Sequence, residues 1–166
     1  DMCGAATVFG LMEALHATGY ERRVNGLACL AENMPGSGAY RPGDVFETYS
    51  GKTIEVFSTD AEGRNVLADG LWKAGEFDPE YIVDLATLTG AIVVALGNQI
   101  TGMWANDEGI GKRVRKAANR SGESVWKMPL NAQFRKYMTD SAFADIRNGS
   151  IGGSAGSANT AASLPE

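Results

Sequence analysis

Hydrophobic positions along the chain follow helical spacing in some stretches and extended spacing in others. Within residues 5–15 the apolar side chains recur three and four positions apart, which predicts a helix, and Gly19 is suited to end it. Residues 24–32 and 81–88 are short apolar runs typical of buried strands. Residues 52–58 alternate polar and apolar positions, which indicates a further strand.

The pattern continues toward the end of the chain. Residues 66–75 and 107–122 predict two more helices, the second with Asn106 or Asp107 as its N-cap. Residues 91–98 form another β-branched run, again typical of a strand. Because helices and strands alternate at this spacing, the chain is predicted to have an α/β fold with a largely parallel sheet.

Two segments interrupt this alternation. Residues 33–45 contain two prolines and three glycines and are predicted to be a loop. Residues 148–159 are rich in glycine and serine, which is typical of a linker. The chain begins directly before a helical pattern, and it ends in G-S-A-N-T-A-A-S-L-P-E, where a further helix is expected to begin. We therefore expect it to be part of a longer polypeptide.

Composition narrows the function classes. A length of 166 residues suits about one domain, and 44% apolar residues suits a globular core. The net charge is −5, and the basic cluster at 112–116 resembles the solvated face of a helix, so nucleic-acid binding is disfavoured. No apolar run approaches the ~20 residues needed to span a membrane, and no signal-peptide pattern is present. Cys3 and Cys29 are predicted to be reduced, buried thiols of a cytosolic protein.

The stretch S-T-D-A-E-G-R at residues 58–64 has a purely structural interpretation. Thr59 and Glu62 have the spacing of a capping box, in which the side chain of each residue accepts a hydrogen bond from the backbone amide of the other at a helix start. Gly63 would then lie in the first helical turn, where glycine costs roughly 1 kcal/mol relative to alanine. The capping box also gives Asp60 no role.

The alternative is a metal site. If the stretch is extended, Asp60, Glu62 and Arg64 lie on one side of the backbone. Two carboxylates that lose water together repel each other unless a cation lies between them or one of them stays protonated. A divalent metal resolves that conflict. The single histidine, His16, belongs to the first helix and is interpreted as a surface or core residue. The ligands would therefore be oxygens, which favours Mg²⁺ or Mn²⁺, although Zn²⁺ also accepts carboxylates.

The same stretch carries a family resemblance. S-T-D-A-E-G-R-N-V-L-A-D-G-L resembles the N-T-D-A-E-G-R-L signature of the leucyl aminopeptidases, the M17 metallopeptidase family. The blocks D-M-C-G-A-A-T-V-F-G, E-N-M-P-G-S-G-A-Y-R-P-G-D-V, V-D-L-A-T-L-T-G-A and S-G-E-S-V-W-K-M-P-L resemble further family blocks, in family order. The resemblance covers nearly the whole chain.

This resemblance implies a fold and an activity. The fold would be a three-layer αβα domain with a mixed, largely parallel sheet, and residues 1–166 would be a central, partial piece of that catalytic domain. The implied enzyme is a cytoplasmic homo-hexamer that releases N-terminal residues, leucine-like ones by preference, from peptides with a free N-terminus. Its two divalent ions, Mn²⁺ or Zn²⁺ with Mg²⁺ and Co²⁺ as alternatives, would activate a bridging water.

The resemblance also implies roles for individual residues. Asp1, Asp60 and Glu62 match metal ligands, with Glu62 bridging the two ions. Arg64 matches the catalytic arginine that holds a bicarbonate ion, the expected general base.

Three further positions, Thr87, Leu88 and Gly90, match residues that line the substrate cleft. The family's other ligands, a lysine and an aspartate, and its catalytic lysine match positions upstream of Asp1. Ser58 stands where the family usually has asparagine.

Other function classes remain open at this point. The chain could belong to a non-catalytic relative that keeps the fold as a structural or interaction subunit, but the intact Asp60, Glu62 and Arg64 favour an enzyme. DNA binding, known for some relatives, gains no support from a net charge of −5. Without the upstream ligands, the 166 residues alone are expected to be an inactive fragment.

Overall fold

The computed structural model describes residues 2–149 and 156–163, and helices and strands are mixed along them. The helices are α1 Cys3–Ala17, α2 Glu62–Gly75, α3 Ala91–Leu96, α4 Glu108–Ser121, α5 Ala132–Lys136 and α6 Ser157–Ala162. The strands are β1 Val45–Glu47, β2 Thr53–Glu55, β3 Thr101–Met103, β4 Val125–Lys127 and β5 Ile146–Arg147. A short 3-10 turn, Thr59–Ala61, directly precedes α2.

The strands form one mixed sheet and one parallel sheet. In the mixed sheet β2 is central, antiparallel to β1 and parallel to β5, so that Ile54 faces Phe46 on one side and Ile146 on the other. In the parallel sheet β3 pairs with β4, with Gly102 opposite Trp126. The predicted α/β class with mixed and parallel sheets is confirmed.

The best-buried side chains gather around β2. Ile54 and Val56 have no exposed surface, and Met138 is 1% exposed. Other large apolar side chains remain open to solvent, among them Phe143 at 77% and Val94 at 91%. The centre of the mixed sheet is therefore the best-buried part of the described residues.

Helix α1 confirms its prediction, including its end. Gly19 has φ +66°, its amide donates to the His16 carbonyl at 3.1 Å, and the Tyr20 amide donates to the Leu15 carbonyl at 3.0 Å. This is a Schellman arrangement, in which a left-handed residue satisfies the last carbonyls of a helix. The exposed His16 is a surface residue, one of the two interpretations given to it.

Helix α4 also confirms its prediction. Of the two candidate caps, Asp107 is the N-cap, and its Oδ1 accepts a hydrogen bond from the Ile110 amide at 2.8 Å. Gly122 follows the helix with φ +81°. The basic side chains of 112–116 are exposed, as expected of a solvated face.

We expect Asp107→Ala to weaken the start of α4 by about 1 kcal/mol, because the Ile110 amide loses its acceptor. Hydrogen exchange of the amides in the first turn should then be roughly fivefold faster. Asp107→Asn is the matched control, since asparagine caps helices about as well as aspartate. Equal exchange rates in the two variants would contradict the assigned cap.

Two predicted strands are wrong. Neither 24–32 nor 81–88 is a strand in the structure, and most of their side chains are exposed or half-buried. Backbone bonds to a neighbouring strand define a strand, and no described residue makes such bonds to either run. An apolar run predicts burial, but it does not supply the partner.

The strand predicted at 91–98 is also wrong, because Ala91–Leu96 is helical. The Thr89 hydroxyl accepts a hydrogen bond from the Ala91 amide at 3.3 Å, which helps to start the helix. Gly97, at φ +70°, ends it. The run is too short for its spacing to separate the two structures.

The linker predicted at 148–159 is wrong at both ends of that range. Asn148 is completely buried, and α6 occupies Ser157–Ala162. Residues 150–155 lie outside the described residues. The loop predicted at 33–45 is confirmed, with its last residue, Val45, beginning β1.

The cysteines differ from expectation in their burial. Both are free thiols, but Cys3 is exposed and Cys29 is only partly buried. Burial, and secondly the negative charge of Asp69, raise the pKa of the Cys29 thiol. Among the described residues, no helix is long and apolar enough to cross a membrane.

Candidate metal and substrate site

The S-T-D-A-E-G-R stretch forms a turn followed by a helix start. Ser58 is extended, and its Oγ accepts a hydrogen bond from the Asp60 amide at 3.3 Å. Thr59–Ala61 is a 3-10 turn, and Glu62 begins α2. The extended conformation predicted for Asp60 to Arg64 is therefore wrong, and so is a cap at Thr59, because Ser58 has that role.

Asparagine, which the family resemblance implies at the position of Ser58, is likewise a preferred N-cap residue type. Serine and asparagine cap helices about equally well, since each offers a side-chain oxygen to the next free amides. The replacement therefore keeps the hydrogen bond to Asp60.

Tyr40 lies beside the turn and is affected by the charges of its two carboxylates. Its hydroxyl donates to the Thr59 carbonyl at 2.9 Å, and Asn33 Nδ2 donates to the same carbonyl at 3.0 Å. Burial raises the pKa of Tyr40, and the negative charges of Glu62 and Asp60 raise it further. Both carboxylates therefore act on one point beside the turn, so negative charge is concentrated there.

Glu62 carries an unsatisfied buried oxygen. Its Oε2 has no hydrogen-bond partner among the described residues. A buried carboxylate oxygen without a partner is unfavourable, because it has given up water without gaining a donor. A divalent cation would satisfy it, since carboxylate oxygens are ligands of hard cations. The donor set thus fits an oxygen-bound metal.

Arg64 lies in the first turn of α2 and is partly buried. Its Nη1 donates to the Asn148 carbonyl at 2.8 Å, while its buried Nε has no partner within residues 2–149 and 156–163. Burial lowers the pKa of Arg64, yet a guanidinium stays protonated in proteins. The site therefore holds a fixed cation with a spare donor.

A cleft of about 720 Å³ opens beside the turn. Asp60, Glu62, Thr87 and Leu88 all line it, so the structure brings these predicted residues together. Neither Arg64 nor Gly90 lines the cleft, although Gly90 directly precedes α3.

Gly63 is explained by this cleft. A Cβ at that position would lie 3.3 Å from Leu88 Cδ1, so Leu88 packs against the start of α2. The glycine that counted against a helix start thus allows close contact between the helix and the cleft wall.

The described part of the chain does not by itself contain a complete metal site. Residues 2–149 and 156–163 contain no group of three or more acidic, histidine or cysteine side chains arranged around one point. The predicted ligand Asp1 lies outside the described residues.

Sequence reasoning missed three residues that contact this stretch, Asn148, Tyr40 and Asn33. Asn148 was part of a segment interpreted as a linker, and Tyr40 and Asn33 were part of a predicted loop. Their partners lie 84, 19 and 26 positions away along the chain, so no local spacing indicates these contacts.

The chain is similar to known proteins over most or all of its length. The model of the cytosol aminopeptidase family, catalytic domain, matches residues 1–166. A probable cytosol aminopeptidase of Streptomyces coelicolor is 53% identical over 148 residues, which cover 89% of this chain and 28% of that protein. One of a Bradyrhizobium species is 50% identical over 163 residues, covering 98% of this chain and 32% of that protein.

A solved structure agrees with these relatives. A tomato leucine aminopeptidase mutant superposes with a TM-score of 0.88 at 41% identity, covering 98% of this chain and 32% of that one. The chain thus spans about a third of the length of the relatives it matches.

Proposed function

We propose a function from one premise: this chain belongs to the cytosol aminopeptidase family, whose catalytic-domain model matches residues 1–166. The protein that contains it is a metal-dependent aminopeptidase of the leucyl type, which releases N-terminal residues from peptides. The observation that carries the metal dependence is the buried Oε2 of Glu62, which has no partner among the described residues, at a cleft that Asp60 also lines. An intact carboxylate at this position favours a metallopeptidase over a purely structural relative.

The metal ligands proposed from this chain are Asp60, Glu62 and Asp1. Two divalent ions, Mn²⁺ or Zn²⁺ with Mg²⁺ and Co²⁺ as alternatives, suit carboxylate ligands. When bound, such ions polarise a peptide carbonyl and make water a stronger nucleophile at neutral pH. Glu62, which the family resemblance implies as a ligand of both ions, would offer them its buried Oε2, for which no described residue is a hydrogen-bond partner.

Arg64 and the cleft wall have separate proposed tasks. Arg64 would hold a bicarbonate ion by charge-assisted hydrogen bonds, since one of its donors is buried and unpartnered in the described part of the chain. When bound there, the bicarbonate would supply the general base of the reaction. Thr87 and Leu88, which line the cleft, would position the peptide, with the Leu88 main-chain carbonyl accepting a hydrogen bond from it. Gly90 would contribute from the start of α3, outside the lining of the cleft.

The remaining parts of the proposal concern the whole protein. A cytoplasmic location agrees with the names of the relatives, which are cytosol aminopeptidases. Assembly as a homo-hexamer rests on the family resemblance alone. Gel filtration with light scattering of the full-length protein tests the assembly directly.

Metal removal tests the proposed function. We expect EDTA dialysis of the full-length protein to lower hydrolysis of a leucine chromogenic amide by at least about a hundredfold, because the water then lacks its activating cation. Added Mn²⁺ or Zn²⁺ should restore the rate. In an Asp60→Asn protein the same addition should restore little. A rate that survives dialysis unchanged would overturn the metal dependence, and full recovery in Asp60→Asn would remove Asp60 from the ligand set.

A further inference from the structure

Asn148 is completely buried directly after β5, where its side chain continues the hydrogen bonding of the parallel ladder. Its main-chain amide donates to the Glu55 carbonyl at 3.0 Å. Its Oδ1 accepts from the amides of Phe57 and Ser58 at 2.8 and 3.1 Å, and its Nδ2 donates to the Ser58 carbonyl at 2.9 Å. One side-chain amide thus satisfies three backbone groups beyond the end of β2.

Those backbone groups belong to the residues that lead into the candidate metal site. Ser58 begins the 3-10 turn and holds the Asp60 amide through its Oγ. The turn ends where Glu62 begins α2. The position of Ser58 therefore sets the direction in which the chain enters the turn that carries Asp60 and Glu62.

Asn148 also binds the guanidinium group of Arg64. Its main-chain carbonyl accepts the hydrogen bond from Arg64 Nη1 at 2.8 Å. The next residue, Gly149, lies so close to Phe57 that a Cβ would be 2.6 Å from the Phe57 ring. Asn148 is thereby held firmly between the strand end and the guanidinium.

We propose that Asn148 is a positioning residue of the aminopeptidase site. It contacts neither cleft nor carboxylate, but it holds the Asp60–Glu62 turn through Ser58 and holds Arg64 through its carbonyl. Its effect on catalysis rests on the proposed function, whereas its effect on the order of the turn does not. Replacing a residue that orients a metal ligand through hydrogen bonds commonly lowers activity or metal affinity by about 10–100-fold.

The chain offers a matched control at the opposite end of β2. Asp145 Oδ2 accepts hydrogen bonds from the Thr53 amide and the Thr53 hydroxyl, both at 2.8 Å. Asp145→Ala therefore removes side-chain hydrogen bonds between the same two segments, but away from the turn. A merely structural role of Asn148 predicts that Asn148→Ala and Asp145→Ala behave alike.

The test compares both variants with the wild type in the full-length protein. We expect Asn148→Ala to lower kcat by about 10–100-fold with KM within about twofold, because the reacting groups shift while the cleft wall stays. Hydrogen exchange of residues 57–62 should be at least about tenfold faster, since the Asn148 side-chain bonds are lost. Asp145→Ala should keep the wild-type kcat and disturb exchange only near Thr53.

Asn148→Asp is the second variant, for the case that the alanine protein does not fold. It is nearly isosteric and keeps both acceptor bonds, but a carboxylate oxygen replaces the donor to the Ser58 carbonyl and the side chain brings a negative charge into a buried position. We expect its kcat to fall by about tenfold and its exchange at residues 57–62 to rise. Wild-type kcat and exchange in Asn148→Asp, or equal changes in Asn148→Ala and Asp145→Ala, would overturn the proposal.

Failure of the proposed function is distinguishable. If the wild type hydrolyses no aminoacyl amide with any of the four metals, the aminopeptidase function is wrong. The exchange data then decide the role of Asn148 alone. Faster exchange at residues 57–62 in the Asn148 variants but not in Asp145→Ala supports positioning, and its absence overturns it.

Discussion

Replacing Glu62 by glutamine is expected to lower kcat for a leucine amide by about a thousandfold in the full-length protein, which corresponds to roughly 4 kcal/mol of lost transition-state stabilisation. Glutamine has nearly the same shape, but it removes the negative charge and places an amide nitrogen or a neutral oxygen where the buried Oε2 lies. A cation held by this carboxylate would lose its strongest local partner. Titration calorimetry with Mn²⁺ should show a matching loss of affinity.

Glu76→Gln is the control for that experiment. Glu76 follows the last residue of α2, is exposed, and pairs with Lys73 in a surface contact at 2.5 Å that is expected to contribute little to stability. We expect its kcat and Mn²⁺ affinity to match the wild type. Tyr40 gives an electrostatic readout: since the Glu62 charge raises its pKa, Glu62→Gln should lower that pKa toward its ordinary value. Unchanged Mn²⁺ binding and kcat in Glu62→Gln would exclude Glu62 as a ligand.

Replacing Arg64 by methionine is expected to lower kcat by about a hundredfold, because the site loses the fixed cation that would hold the bicarbonate base. The side chain is partly buried and anchored by one nitrogen to Asn148, so its charge has a defined place. Arg64→Lys keeps a charge but not the planar fork, and we expect an intermediate loss of about tenfold. The measurement is kcat as a function of bicarbonate concentration.

Arg115→Met is the control for the Arg64 variants. Arg115 belongs to the exposed face of α4, and it does not line the cleft. We expect wild-type kcat and the wild-type response to bicarbonate. Should Arg64→Met keep that response, the anion would have to bind elsewhere and the proposed role of Arg64 would be wrong.

Helices that carry their own end signals could be predicted from the sequence. The apolar spacing and Gly19 define α1, and Asp107 with Gly122 defines α4. Strands could be predicted less well because their backbone partners lie elsewhere in the chain. Apolar runs at 24–32 and 81–88 therefore predicted strands that the described residues do not form.

The chemistry of the candidate site could be predicted from the sequence, but its geometry could not. The chemistry of Asp60, Glu62 and Arg64 was indicated by a seven-residue stretch, and the structure places both acids beside the cleft. Their geometry was not predictable, because both a capping box and an extended strand fit the spacing, and the structure has neither. Asn148 could not be identified at all, since its role consists of contacts made 84 to 91 positions away.

That separation has a consequence for how the protein is made. Ser58 emerges from the ribosome 90 residues before Asn148, the residue that fixes it. At about 5–20 residues per second, synthesis of the intervening segment takes roughly 5–20 s. During that time the acidic turn lacks its clamp, and the strand-to-Asn148 contact closes a long loop, which slows folding relative to local contacts. The geometry of the candidate metal site is therefore a late product of folding, and a nascent chain cannot assemble it early.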